Sequence, residues 1–189
     1  MSRFAGFLVM LLALSLPSRA TEWQMDAANS SILFTGQQAG VDFTGHFNRF
    51  TLNVNFDPSA PEDGSIRADI DLSSVDAGSI ERTQALPGED WFFVKSFPTA
   101  IFRSTAIRSA GENSYLAEGV LSLRGISQAI TLAFDFDQNG DTAIVTAHHE
   151  LDRSQFGVGT GVWTDEKWVG HLVRVDIKVT ARNMKVTSP

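Results

Sequence analysis

Along most of this chain, apolar and polar residues alternate one for one. "SIRADIDL" sets Ile66, Ala68, Ile70 and Leu72 on one face. "AITLAFDF" does the same with Ile130, Leu132, Phe134 and Phe136, and "HLVRVDIKVTA" with Val173, Val175, Ile177 and Val179 against Arg174, Asp176 and Lys178. A period of two is that of a β-strand with one buried and one solvated face. "RFTLNVNFD" places Phe50, Leu52, Val54 and Phe56 on even positions, whereas "VDFTGHF" carries Val41, Phe43 and Phe47 on odd ones. That flip of parity predicts a bulge or sharp bend near Asn48-Arg49. Turn residues separate the runs: Asp57-Pro58 through Gly64, Gly111 to Asn113, Arg124-Gly125 and "DQNGD". Such punctuation predicts eight or nine strands in an all-β, antiparallel, up-and-down meander. A twisted meander of that size closes into an eight-stranded β-barrel because closure removes its edges. The lumen of such a barrel just holds one small or slender ligand.

One segment breaks the alternation. "GSIERTQALPGEDWFFVKSFP" lies between a strand ending near Val75 and one beginning near Thr99. Ser79 is placed to cap a short helix through Leu86, with Glu81 favourable in its first turn. Pro87-Gly88 stops it, and Asp90 is placed to cap a second turn carrying Trp91, Phe92 and Phe93. The result is a helical insertion of about 20 residues at one end of the barrel, a length that usually carries a function. Five of the fourteen residues in "EDWFFVKSFPTAIF" are aromatic, where a loop is expected to be polar. Trp91, Phe92, Phe93 and Phe97 either plug the barrel end as ordinary core or line a portal; the pattern admits both.

The first residues are of another kind. Arg3, an apolar run from Phe4 to Leu16, Pro17 and then Ser18-Arg19-Ala20 describe a secretory signal peptide. The run is about 13 residues, short of the roughly 20 that span a bilayer. The expected organisation is a signal peptide over 1–20 and a single domain over 21–189, exported to the periplasm. The chain has no cysteine, so neither disulfides nor thiolate metal sites are available to it. Its net charge of −7 becomes more negative once Arg3 and Arg19 are removed. An acidic surface argues against nucleic acid and against docking on anionic lipid, and leaves neutral apolar ligands open.

Candidate chemistry is sparse. In "TAIFRSTAIRS" one face reads Ala100, Phe102, Ser104, Ala106, small residues around a single Phe that leave room for a ligand; the other reads Ile101, Arg103, Thr105, Ile107. His148 and His149 are adjacent on a strand and face opposite sides, so they cannot chelate one ion together. They read as solvated or edge histidines, and no tightly bound metal or haem is expected. "GVGTG" (157–161) has the wrong spacing for a phosphate loop and reads as a loop or bulge beside the barrel mouth. Asp152 and Arg153 before it read as a turn-fixing pair. No Ser-His-Asp order or paired acidic dyad stands out, so no enzyme is expected.

"DWFFVKSFPTAIFRS", "GVLSLRGISQAITL" and "LDRSQFGVGTGVW", in that order and spacing, resemble the YceI-like family of exported bacterial proteins, from about Trp23 to Arg182. The resemblance implies a lipocalin-like barrel that binds a polyisoprenoid lipid or isoprenoid quinone in its lumen, for transport, storage or stress response, without another cofactor. "GVGTGVW" and Trp91 are similar to the branch associated with cytochrome b561-type membrane proteins, which implies such a partner. Two alternatives follow: a soluble partner of that cytochrome with no ligand of its own, and a barrel isomerase or cyclase. Many members carry His where this chain has Asn29 and Gln38, and "NxxRDxHL" where it has "SIERTQAL", which keeps Arg82 and Leu86. Arg82 is therefore the expected head-group contact. The expected lumen or portal residues are Phe43, Phe47, Arg82, Trp91, Phe92, Phe93, Phe97, Phe102, Phe156 and Trp163. The oligomeric state stays open, a homodimer being one reading.

Overall fold

A computed structural model describes residues 21–184; the signal peptide expected over 1–20 lies outside the described residues. Ten strands follow one another: β1 (Glu22–Gln38), β2 (Val41–Phe47), β3 (Phe50–Asn55), β4 (Ser65–Asp71), β5 (Val75–Asp76), β6 (Thr99–Ser109), β7 (Ser114–Leu123), β8 (Ile126–Asn139), β9 (Thr142–Asp152) and β10 (Leu172–Asn183). They pair antiparallel in the order β10-β9-β8-β7-β6-β4-β3-β1, and β10 pairs back onto β1. Eight strands thus close a barrel, as the alternation predicted. β2 and β5 extend one rim: β2 pairs with the second half of β1 and then with β5.

The expected bend at Asn48-Arg49 is present, and Ser74 makes it. Asn48 donates from its backbone N and from Nδ2 to the Ser74 carbonyl, at 3.1 and 2.9 Å. The Arg49 N–H donates to Ser74 Oγ at 2.9 Å. Ser74 is buried, and these bonds satisfy polar groups that would otherwise be costly to enclose. A second irregularity was not read from the sequence. The β6–β7 register shifts between Ser104 and Ala106, a β-bulge that reverses the facing of the residues beyond it. Ile107, assigned to the outer face, is therefore an inward residue with 2% exposure, while Ala106 is exposed.

The end of the barrel at the β8–β9 hairpin is closed by rings from strands and strand ends. Phe56 meets Tyr115, Phe136 and Phe134 at centroid distances of 4.9, 5.0 and 5.6 Å. Trp23 packs edge-on against Phe136 at 5.3 Å, and its Nε1 donates to the Phe56 carbonyl at 3.0 Å. All five rings are buried. Edge-to-face contacts of this kind add to the burial of large apolar area, so this floor is a packed core.

At the other end lies the insertion. Its helix α1 runs Ile80–Ala85, and Ser79 caps it by accepting from the Arg82 N–H. The helix stops at Pro87-Gly88 as expected, and residues 88–97 form a chain of turns. Asp90 does not cap them. Its carboxylate accepts from Thr160 Oγ1 at 2.8 Å, and its carbonyl accepts from the N–H groups of Gly159 and Thr160 at 2.7 and 2.8 Å. The residue expected to cap a turn within the insertion instead ties the insertion to the 157–161 loop.

Candidate functional site: an apolar lumen under a polar clasp

Inward residues of every barrel strand surround a cavity of about 250 Å³ that runs from the Phe56–Phe134–Phe136 floor to Trp91 and Phe92. The period-two faces read from the sequence supply most of it: Ile66, Ala68 and Ile70; Ile130 and Leu132; Val173, Val175, Ile177 and Val179. Among the described residues that line it, only His149, Arg153 and Trp91 carry a side-chain nitrogen. Such a wall takes up an apolar chain and offers very few groups to orient it.

Three segments cover the mouth, and Arg153 binds the longest of them. Arg153 is 3% exposed. Nε donates to the Gly170 carbonyl at 2.9 Å, Nη1 to Val158 and Gly159 at 2.6 and 3.2 Å, and Nη2 to Trp163 and Val169, both at 2.6 Å. All five N–H donors are used, each on a main-chain oxygen. The Trp91 ring lies under the cation, 5.5 Å from its carbon to the centroid. Burial pulls the Arg153 pKa below its ordinary value, yet an arginine remains charged at any physiological pH. Gly159 makes the arrangement possible: its φ is +82°, and a Cβ there would lie 2.0 Å from Arg153 Nη1. Asp152 fixes the turn as expected, but through Ser154, whose N and Oγ donate to its carboxylate, and not through a bond to Arg153.

Arg124, at the β7–β8 turn, joins the other pieces by donating to the carbonyls of Gly157 and Glu89. Insertion, hairpin turn and 157–170 loop are thereby held together by main-chain bonds to two arginines and one aspartate. Little in the residue pattern points to this, because isolated arginines look alike in a sequence; the Arg153–Gly159 contact forms only when the chain folds back.

The ten expected residues fall into distinct places. Phe43, Phe47, Trp91, Phe92 and Phe102 line the cavity. Phe47 bridges β2 to the insertion, 5.5 Å from Phe34 and 6.0 Å from Phe92. Phe93 and Phe97 pack on each other at 5.9 Å, and Phe97 also lies against Gly125 of the β7–β8 turn, away from the cavity. Phe156 is buried beneath the loop, and Trp163 packs at a tilt against Trp91 at 5.6 Å; neither lines the cavity. The "DWFF" run is thus divided between lumen and outer bracket. Arg82 also stands off the cavity wall. It donates from Nε to the Ala77 carbonyl at 2.9 Å and from Nη1 to Gln38 Oε1 at 3.2 Å, and its cation sits 4.7 Å from the Phe43 centroid. Those contacts fix the insertion to β1, to β2 and to the residue that follows β5.

The two histidines face opposite ways. His148 points outward and meets Asp176 at 2.6 Å. His149 is not a solvated or edge residue, as the sequence suggested, but part of the cavity wall. The signal was present in β9, whose inward positions read Ala143, Val145, Ala147, His149, Leu151. Among the described residues no three His, Asp or Glu side chains gather as a metal site would require.

Residues 23–181 match the family described as YceI-like domain. The chain belongs to the YceI-like family. Among relatives of that family, a "UPF0312 protein" of Shewanella denitrificans is 31% identical over 131 residues, 68% of this chain and 69% of the relative. The solved structure of Burkholderia cenocepacia BcnA is 34% identical and superposes with a TM-score of 0.81, covering 83% of this chain and 99% of that one. A polyisoprenoid binding domain from Saccharophagus degradans shares the YceI-like barrel at 16% identity and a TM-score of 0.66, over 87% of this chain and 99% of its own. At that identity the likeness is one of fold.

Proposed function

We propose that this protein is a carrier that holds one polyisoprenoid lipid or isoprenoid quinone non-covalently in its barrel. The observation that carries this reading is the continuous apolar lumen, closed below by a packed floor and covered above by a clasped insertion. Each buried CH₂ of a bound chain contributes about 0.8 kcal/mol, so chain length supplies the affinity. Family membership and the polyisoprenoid-binding neighbour support the same ligand class. A carrier is favoured over an isomerase or cyclase because Arg153 has no N–H to spare and His149 has no titratable partner across the lumen. The start of the chain supports export to the periplasm, and the resemblance supports exchange with a cytochrome b561-type membrane protein.

Native mass spectrometry of the exported protein, followed by solvent extraction, tests the reading. One prenyl chain per barrel is expected, on a polypeptide beginning near Thr21. A barrel recovered empty that takes up neither prenol nor prenylquinone on titration overturns it.

A further inference from the structure

The two ends of the barrel carry different surfaces. At the floor end the connections are residues 56–64, 110–113 and 140–141, and they hold Asp57, Glu62, Asp63, Glu112 and Asp141 with no lysine or arginine. At the mouth stand the most exposed large hydrophobic residues among the described residues: Ile80, Val162, Val41, Leu172 and Trp168, each half exposed or more. They come from four stretches: the start of β2, the start of α1, the 157–170 loop and the start of β10. Hydrogen bonds gather these stretches around one opening. The Ala39 N–H donates to the Trp168 carbonyl and the Gly170 N–H to the Gln37 carbonyl, both at 2.9 Å. Arg82 of α1 reaches Gln38, which pairs with Val41. Val162 precedes Trp163, whose carbonyl accepts from Arg153, and Leu172 pairs with Asp152.

A second protein chain fits this ring poorly. Charged residues separate its members: Asp42 follows Val41, Glu81 follows Ile80, and Asp165, Glu166 and Lys167 lie between Val162 and Trp168. A packed protein interface concentrates its apolar side chains in a core depleted of charge. The boundary layer of a bilayer accepts the mixed arrangement, because apolar side chains enter the acyl region while charged neighbours stay among the head groups. Trp168 has the neighbour such a layer favours: Lys167 Nζ lies 5.4 Å from its ring centroid and 2.7 Å from Asp165, a cation beside an amphipathic ring.

We infer that this protein docks mouth-first on a lipid bilayer, its exposed ring entering the boundary layer so that a prenyl chain passes between membrane and lumen without crossing water. This rests on the carrier reading above and names where the ligand is loaded. The uneven charge sets the orientation, since the acidic floor end is repelled by anionic lipid and points away. With a net charge of −7, attachment rests on apolar burial and favours zwitterionic over anionic bilayers.

The test is flotation of the exported protein with vesicles of phosphatidylcholine, and with vesicles of phosphatidylglycerol. Wild-type protein is expected to float with phosphatidylcholine at low and high salt alike, and less well with phosphatidylglycerol at low salt. Ile80→Asp and Val162→Asp are expected to weaken partitioning about three- to tenfold each, the worth of withdrawing one partly inserted apolar side chain. Both sites are exposed, and an aspartate at the first residue of α1 suits a helix N-terminus, so the fold stays intact. Ile144→Asp, on β9 near the floor end, should change nothing. Quenching of tryptophan fluorescence by lipid brominated near the head group should fall in Trp168→Phe. Wild-type protein that does not float, flotation abolished by salt, or an equal loss in Ile144→Asp overturns the inference. So does a dimer in sedimentation that Ile80→Asp dissociates, which would assign the ring to a second copy. A prenylquinone delivered from detergent keeps the two readings apart. A barrel that takes it up yet does not float defeats only the docking, and one that floats yet takes up nothing defeats only the carrier.

Discussion

At the floor of the barrel Phe56 touches three other rings at 4.9–5.6 Å, all of them from strands or strand ends and all buried. At the mouth the rings range from within that spacing to beyond it, with Phe34–Phe47 at 5.5 Å, Phe47–Phe92 at 6.0 Å and Phe34–Phe43 at 6.3 Å, and Trp91 is only half-buried. The floor rings are positioned by the hydrogen-bond ladder of the barrel itself. Trp91 and Phe92 hang instead on turns, held by Arg153, Arg124 and Asp90 through carbonyls and amides. An end whose order depends on a few polar contacts can open locally while the rest stays folded. Aromatic content therefore does not distinguish plug from portal; what fixes the backbone beneath the rings does.

Truncating one ring at each end should separate a packed floor from a mouth that opens. Phe56→Ala should cost about 3–5 kcal/mol of stability, read as a lower urea midpoint, because a fully enclosed ring leaves a cavity among strands that cannot collapse. Arg153→Met should cost somewhat less, about 2–4 kcal/mol, by stranding carbonyls that charged hydrogen bonds had satisfied. Its loss should be local: amide exchange should rise over residues 157–170 while the amides around Phe134 and Phe136 stay protected. Equal loosening at both ends would mean that the clasp and the floor are one cooperative unit. Trp91→Ala should be milder still, about 1–2 kcal/mol for a half-buried ring, with ligand release several-fold faster. A loss as large as that of Phe56→Ala, with release unchanged, would make the mouth a second plug.

The smallest effect is one of pH. Burial holds the His149 imidazole below its ordinary value of 6.5. Between that value and the lower folded one, the unfolded chain binds a proton that the folded chain refuses. The contribution is therefore complete above about pH 6.5 and declines as pH falls through the window. His149→Leu should flatten this part of the stability profile. Asp69, held low by its hydrogen bond from Arg67, and Asp152, held low by Ser154, act in the opposite sense of charge and further down. Their contributions are present above their ordinary 3.8 and vanish on stronger acidification. A profile of His149→Leu that keeps the same slope just below pH 6.5 would place the titrating group elsewhere.

Much of this architecture was legible in the alternation. Strand faces such as Ile130 to Phe136 and Val173 to Val179 read directly as lumen wall, since side chains two apart must share a side of a strand. The Asn48-Arg49 bend was visible as a parity flip, and the α1 cap as Ser79 three residues before Arg82. The bulge after Ser104 was not visible, because small and branched residues alternate plausibly in either frame there; only the pairing with β7 reveals that Ile107 has changed sides. The inward facing of His149 is legible from β9, where it shares the parity of Ala143, Val145, Ala147 and Leu151, but its adjacency to His148 masks that parity.

The class of fold, the apolar character of the lumen and the place of the insertion follow from local periodicity and turn chemistry, and so are written in the residue order. Which rings line the cavity, that Arg82 braces the insertion and stands off the cavity wall, and that Arg153 and Asp90 clasp the mouth are settled by the folded chain. Those facts depend on contacts between segments far apart in the chain, such as Asp90 with Thr160. Residue spacing carries no information about such contacts, because it is the closure of the barrel that brings them within hydrogen-bond reach.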